Sequence, residues 1–157
     1  MYSFFIDTIV IVFLGYAVSY PFLLWITPIK EIDASFYRFN LGLCCIIGAL
    51  GVIGFIGLES NVISKFFIWL WLGLILIITS YYWNNKNKNN FIISLVSIVG
   101  CFAFYQIIIQ ISPKSDSLFL FFITFLGSLI TGSVFFSMIL GHWYLNVINL
   151  PIKLLKR

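Results

Sequence analysis

Apolar residues fill five long stretches of the chain, and short polar connectors separate these stretches. Each stretch is long enough for an α-helix to cross a membrane, which takes about 17–25 mainly apolar residues. A helix suits that role because it satisfies its backbone hydrogen bonds within one segment. Asp7 is expected to cap the first helix. The predicted spans cover residues 8–27, 41–58, 62–83, 91–111 and 118–148, with a basic interfacial tail over 149–157.

Composition leads to the same architecture. Hydrophobic residues make up 62% of the 157 positions and charged residues only 9%, whereas soluble domains average about 25% charged residues. A water-soluble fold of this length could not hide so much apolar surface. We therefore expect an all-α polytopic integral membrane protein, with a single transmembrane domain over 1–157 built as a five-helix bundle.

The nine basic residues are distributed unequally between the two ends of such a bundle. Seven fall on one side: Lys30, Arg38, Lys86, Lys88, Lys153, Lys156 and Arg157. Lys65 and Lys114 fall on the other. The positive-inside rule then predicts a cytoplasmic C-terminus and an external N-terminus, most simply in a bacterial inner membrane. Because the basic residues alternate with apolar runs and form no patch, nucleic acid is not an expected partner.

Small and polar residues in two spans predict helix–helix packing. The second span carries glycines at three-residue spacing: Gly48, Gly51, Gly54 and Gly57. Glycine lets two backbones approach closely in lipid, so this span should pack tightly. Gln106 and Gln110 are four residues apart, and therefore share a face of the fourth span. Intramembrane amides of this kind usually form hydrogen bonds with a neighbouring helix.

The last span superimposes two patterns of small and polar residues. One groove repeats every four residues and consists of Ser133, Ser137 and Gly141. A second face alternates steps of four and three, which predicts one helix–helix seam: Thr124, Ser128, Thr131, Phe135, Met138 and His142. Ser128 and Gly132, four residues apart, are further packing candidates. We thus expect this helix to contact neighbours on more than one side.

His142 is the only histidine and the one candidate cofactor ligand. A six-coordinate haem needs axial ligands on opposite faces of the ring, and Met138 shares the helix face of His142. A haem would therefore require a ligand from a second subunit or a five-coordinate iron, and contact with a quinone is the other option. The structural alternative is an interfacial histidine beside Trp143 and Tyr144. We expect no resident cofactor and no metal site.

The segment Leu140-Gly141-His142-Trp143-Tyr144-Leu145, followed by Asn149-Leu150-Pro151 and a basic end, carries one resemblance. It resembles the closing segment of small, uncharacterised bacterial polytopic membrane proteins. The resemblance implies a bacterial source and a role for His142. It implies no particular activity.

These patterns favour a non-enzymatic function. The chain has no zinc motif, phosphate-binding loop or nucleophile–base pairing. Its near lack of charge at mid-membrane depth also disfavours transport. The leading hypothesis is a small accessory or structural subunit of a larger membrane complex, with an energy-converting complex as one candidate, whose partners are other integral membrane subunits and lipids. The alternatives are a haem- or quinone-binding redox protein using His142, and a component of a channel or carrier.

Overall fold

A computed structural model describes residues 2–27, 34–56, 61–84, 90–111 and 116–146. These residues form five α-helices, each of which is long and apolar enough to cross a membrane. The helices are α1 (Tyr2–Ile26), α2 (Ala34–Ile56), α3 (Val62–Asn84), α4 (Asn90–Ile111) and α5 (Ser117–Asn146). The predicted all-α, multi-pass architecture is therefore confirmed. Residues 149–157, which include the predicted basic tail, lie outside the described residues.

Two helices begin earlier than the hydrophobic pattern predicts. Helix α1 starts at Tyr2, so Asp7 lies inside it and the predicted capping role of Asp7 is wrong. Helix α2 starts at Ala34 and includes Arg38 and Asn40. These polar residues fit a helix because their side chains find partners: the Asn40 amide donates to the Phe36 carbonyl (2.7 Å), and Arg38 reaches across to α3.

The helix that organises the fold is α1. It packs against α2, α4 and α5, while α3 packs against α2 and α4. Helices α1–α4 therefore form a closed ring of four, and α5 lies outside that ring, against α1 and to a lesser extent α4. Half of the α1 span is buried, compared with 6% of the α5 span.

Two hydrogen bonds mark the opposite ends of the bundle. At the Arg38 end, Arg38 donates to the Trp83 carbonyl at the end of α3 (3.2 Å). At the Gln110 end, the backbone N–H of Asn61, which precedes α3, donates to Gln110 Oε1 at the end of α4 (3.1 Å). Helices α1 and α5 run parallel, since Ser128 lies beside Gly15 and the rings of Phe136 and Tyr20 are in contact. Both helices begin at the Gln110 end.

Trp71 of α3 fills the middle of the four-helix ring. Its indole is 1% exposed and lies between two glycines on neighbouring helices. A methyl group added at Gly48 of α2 would lie 2.8 Å from Trp71 Cη2, and one at Gly100 of α4 would lie 2.8 Å from Trp71 Nε1. Both glycines are therefore needed to accommodate the indole between α2 and α4.

The glycines of α2 also allow a close approach to α1. A methyl group at Gly51 would lie 2.6 Å from Leu14, and one at Gly54 would lie 3.0 Å from Val10. The fourth predicted packing glycine, Gly57, lies outside the described residues. Gly15 serves the other side of α1, where an added methyl group would meet the Ser128 hydroxyl of α5. Helix α1 thus contacts α2 and α5 closely on two of its sides.

Candidate functional site: a lateral cleft between α1, α2 and α5

A lateral cleft opens between α2 and α5, and α1 forms its floor. Its volume is about 810 Å³, within the range of about 300–1,000 Å³ that is usual for ligand sites. The lining residues are Ile11, Val12, Phe13 and Tyr16 of α1, Leu43 and Ile47 of α2, and Thr124, Gly127, Ser128, Thr131 and Phe135 of α5. The walls are almost entirely apolar.

Aromatic rings close the cleft towards the Arg38 end. The Phe36 ring of α2 lies edge-on to Phe136 and to Trp143 of α5, with both centroid distances at 5.7 Å. On the Gln110 side of this contact, the rings of Tyr16 and Phe135 meet edge to face with a centroid distance of 6.1 Å. Helices α2 and α5 are therefore joined at one end and separated in the middle, which gives the cleft its closed end.

The hydroxyl groups on the α5 wall already have hydrogen-bond acceptors within their own helix. Thr124 donates to the Leu120 carbonyl (2.7 Å), Ser128 to the Thr124 carbonyl (2.8 Å) and Thr131 to the Gly127 carbonyl (3.0 Å). Back-bonding of this kind leaves the methyl groups and the backbone to face the neighbour. The hydroxyl groups on this wall therefore need no polar ligand as a hydrogen-bond acceptor.

A buried polar pair lies behind the closed end of the cleft. The Tyr20 hydroxyl of α1 donates to Asn40 Oδ1 of α2 at 2.5 Å, and both residues are fully buried. The Tyr20 ring also lies 5.1 Å from the ring of Tyr16, which lines the cleft. The hydropathy pattern does not predict this pair. The available signal was the spacing of Tyr16 and Tyr20, which puts both on one face of α1.

The predicted seam on α5 borders the cleft. Thr124, Ser128, Thr131 and Phe135 all line it, and Ser128 also contacts Gly15 of α1. Met138 and His142 continue the same face towards the Arg38 end, where both side chains are exposed. His142 is seven positions after Phe135, a rise of about 10 Å along the helix axis, and it adjoins Trp143 at the closed end of the cleft.

No metal-binding group accompanies His142 within the described part of the chain. There, no three histidine, cysteine or acidic side chains come together in a way that could hold a metal ion. The thiols of Cys44, Cys45 and Cys101 are free, and Cys45 Sγ lies 3.1 Å from Thr79 Oγ1 on α3. The cysteines are thus placed in the packing between helices.

The other packing candidates of α5 fall into two groups. Gly132 is buried against α1, where an added methyl group would meet Leu23 at 3.5 Å and Tyr20 at 3.7 Å. The groove of Ser133, Ser137 and Gly141 turns to the flank opposite the cleft. Ser137 is exposed and bonds only to its own helix through the Ser133 carbonyl (2.8 Å), and a methyl group at Gly141 would meet nothing within 4 Å.

Polar contacts at the two ends fix the ring of α1–α4. Gln110 links α4 to α3, because its Oε1 accepts a hydrogen bond from the backbone at the start of α3. Gln106 is half-buried. At the other end, the Arg38 guanidinium lies 5.9 Å from the centroid of the Trp83 ring.

A scan of protein-family models and searches of curated proteins and solved structures find no match to this chain.

Proposed function

We propose that this protein is a small accessory subunit of a larger membrane complex, and that α5 packs against a transmembrane partner. The observation that carries the proposal is the exposure of α5, since only 6% of its span is buried. Its outer flank nevertheless presents the groove of Ser133, Ser137 and Gly141. Small residues bring helix backbones close together in lipid, where packing drives association.

The composition of the exposed surfaces supports this assignment. Large apolar side chains are more than half exposed on both α3 and α5, for example Phe66 and Trp69 on α3 and Leu126 and Ile130 on α5. Such residues suit contact with lipid chains. The outer flank of α5 adds two serines whose hydroxyls bond to their own helix, so a partner helix could approach without leaving a polar group unpaired.

The positions of charges are also consistent with a packing role. The described charged residues Asp7, Arg38, Lys65 and Asp116 all lie within about two helical turns of the start of a helix. Transport pathways, by contrast, usually carry ionisable groups at mid-membrane depth. We further propose that the Arg38 end faces the cytoplasm of a bacterial inner membrane, with the N-terminus outside. This orientation rests on the seven basic residues assigned to that side.

Site-specific photo-crosslinking can test the proposed partner surface. A photoreactive amino acid at position 137 is compared with one at position 80, because Ser80 is also an exposed serine, on α3. In native membranes we expect position 137 to crosslink to another integral membrane protein and position 80 to give only lipid adducts. Ser137→Leu should then abolish co-purification of that protein in mild detergent, whereas Ser80→Leu should not.

The same pair of positions can contradict the proposal. Equal crosslinking from positions 137 and 80 would mean that α5 has no dedicated partner. Unchanged co-purification of the crosslinked protein with Ser137→Leu would move the interface elsewhere on the bundle. Both variants replace an exposed residue, so a difference between them cannot come from repacking of the core.

A further inference from the structure

We propose that the lateral cleft binds one acyl chain of a phospholipid from the membrane leaflet at the Gln110 end. This site is separate from the partner surface proposed above, because the cleft and the groove of Ser133, Ser137 and Gly141 lie on opposite flanks of α5. It therefore goes beyond the accessory role and can be tested independently of it. The argument rests on the lining, the length and the closure of the cleft.

The lining selects a hydrocarbon chain over a polar ligand. The side chains from α1 and α2 are aliphatic or aromatic, and the three α5 hydroxyls in the cleft donate to carbonyls of their own helix. A polar ligand would lose hydrogen bonds to its surroundings without gaining any from these hydroxyls. An acyl chain loses nothing on entering, and it gains contact with three helices in place of other mobile chains.

The length of the cleft matches one leaflet. Along α5 the lining runs from Thr124 to Phe135, a rise of about 16 Å at 1.5 Å per residue. Half of a hydrocarbon core of roughly 30 Å is about 15 Å. The lining crosses the middle of the Ser117–Trp143 span, so a chain that enters from the Gln110 end and reaches the bilayer centre would bring its terminal carbons close to the rings of Tyr16 and Phe135.

The closed end argues against a transmembrane helix as occupant. The aromatic contacts that join α2 to α5 lie at the Arg38 end, where Phe36 meets Phe136 and Trp143. A spanning helix about 10 Å wide could not continue past this contact. The cleft is also small for a protein interface, since eleven residues line it and a typical interface uses roughly 20–30 on each side.

A photoreactive phospholipid can test the site. The purified full-length protein is reconstituted in phosphatidylcholine vesicles that contain a small fraction of phospholipid with a diazirine near the end of one acyl chain. After illumination, adducts are mapped by mass spectrometry. We expect adducts on Tyr16 and Phe135 to exceed those on Trp69 and Ile77, two exposed residues of α3, by about tenfold, which corresponds to preferential binding of about 1.4 kcal/mol.

Two matched glycine variants provide the control. A methyl group at Gly127 or at Gly73 would meet nothing within 4 Å, so both backbones tolerate a side chain, but only Gly127 lines the cleft. Gly127→Phe should reduce labelling of Tyr16 and Phe135 to the level seen on α3, and Gly73→Phe should leave it unchanged. Thr131→Phe, which changes an exposed residue in the cleft, replaces the first variant if that variant does not accumulate.

Three results would overturn the inference. Adducts spread evenly over α3 and the cleft would show that only ordinary annular lipid is present. Labelling of the cleft that survives both Gly127→Phe and Thr131→Phe would place the chain elsewhere. A photoreactive residue at position 127 that captures a polypeptide or an isoprenoid lipid from native membranes, in preference to phospholipid, would assign the cleft to that occupant instead. None of these results depends on a partner bound at Ser137.

Discussion

Trp71 shows how single residues determine the packing of this bundle. The indole reaches from α3 between α2 and α4, and the space it occupies exists because Gly48 and Gly100 have no side chain. Its Nε1 is buried without a hydrogen-bond acceptor among the described residues. The favourable term is therefore packing alone, since the ring contacts several helices while its polar atom gains nothing.

Gly100→Ala should destabilise the protein by about 1–3 kcal/mol, because the added methyl group overpacks the indole. The ring cannot move away from it, since its other side already packs closely against Gly48. Gly48→Ala should have a similar effect. Gly73→Ala is the control, since its methyl group enters open space and alanine favours helix by about 0.5–1 kcal/mol over glycine. Thermal unfolding in detergent measures all three.

A double-variant cycle separates this clash from a general effect of the substitution. Trp71→Phe removes the atoms nearest to Gly100, so Gly100→Ala should cost less in that background than in the native one. Equal costs in the two backgrounds, or a Gly100→Ala protein as stable as Gly73→Ala, would show that the indole can move aside.

The glycine ladder of α2 was predictable from sequence, but its partners were not. Regular spacing indicates that Gly48, Gly51 and Gly54 serve close packing, yet nothing local to α2 shows that an indole meets one of them and aliphatic chains of α1 meet the others. The Tyr20–Asn40 pair was missed for a related reason. Hydropathy placed Asn40 in a connector, and only the approach of α1 gives its amide a buried partner.

At the scale of single elements, α5 illustrates which structural properties a sequence repeat can indicate and which it cannot. The steps of four and three correctly group Thr124, Ser128, Thr131 and Phe135 on one face of the helix. A shared face does not reveal whether a helix, a lipid chain or open space lies opposite. In this bundle the face borders the cleft, while the adjacent line through Phe125, Gly132 and Phe136 packs on the ring of α1–α4.

Gly132 is the position on which docking of α5 should depend most. A methyl group there makes ordinary contacts with Leu23 and Tyr20, so Gly132→Ala should be neutral or stabilising by up to about 1 kcal/mol. Gly132→Leu should separate α5 from α1, because the site is buried and the longer side chain must displace Tyr20 or Leu23. Thermal stability and abundance in the membrane report both effects.

Gly141→Leu provides the comparison for stability of the isolated protein. The new side chain enters open space, so this variant should unfold at the same temperature as the unsubstituted protein. If Gly132→Leu behaves in the same way, α5 is held by contacts other than its approach to α1 at this point.

At the scale of the whole molecule, the two ends of the bundle differ in their polar chemistry. The Arg38 end carries the guanidinium stacked near Trp83 and the exposed imidazole of His142. The Gln110 end carries Lys65, Asp116 and the amide of Gln110. Helix number and apolar length were predictable because lipid imposes them on any spanning segment. The order of packing around α1 was not, since all five helices are similarly apolar and any of them could have been central.

Reporter fusions should reveal which end faces the cytoplasm. A reporter active only in the cytoplasm should work when fused after Arg157, and one active only outside should work when inserted at Ser115. Both expectations follow from the seven basic residues assigned to the Arg38 end. The opposite pair of activities would show that the protein has the inverted orientation, and activity of a single reporter type at both positions would show that α5 does not cross the membrane.

The closure of the ring before α5 has a consequence for biosynthesis. Membrane proteins are inserted from the N-terminus onward, so α1–α4 can assemble while the ribosome is still translating α5. Until then, the side of α1 around Gly15 faces lipid or the insertion machinery, and α5 does not yet border the floor of the cleft. Arrival of the last helix is therefore a separate docking event. It is the step at which a nascent chain would acquire the lipid that we propose for the cleft and display the partner surface that we propose on α5.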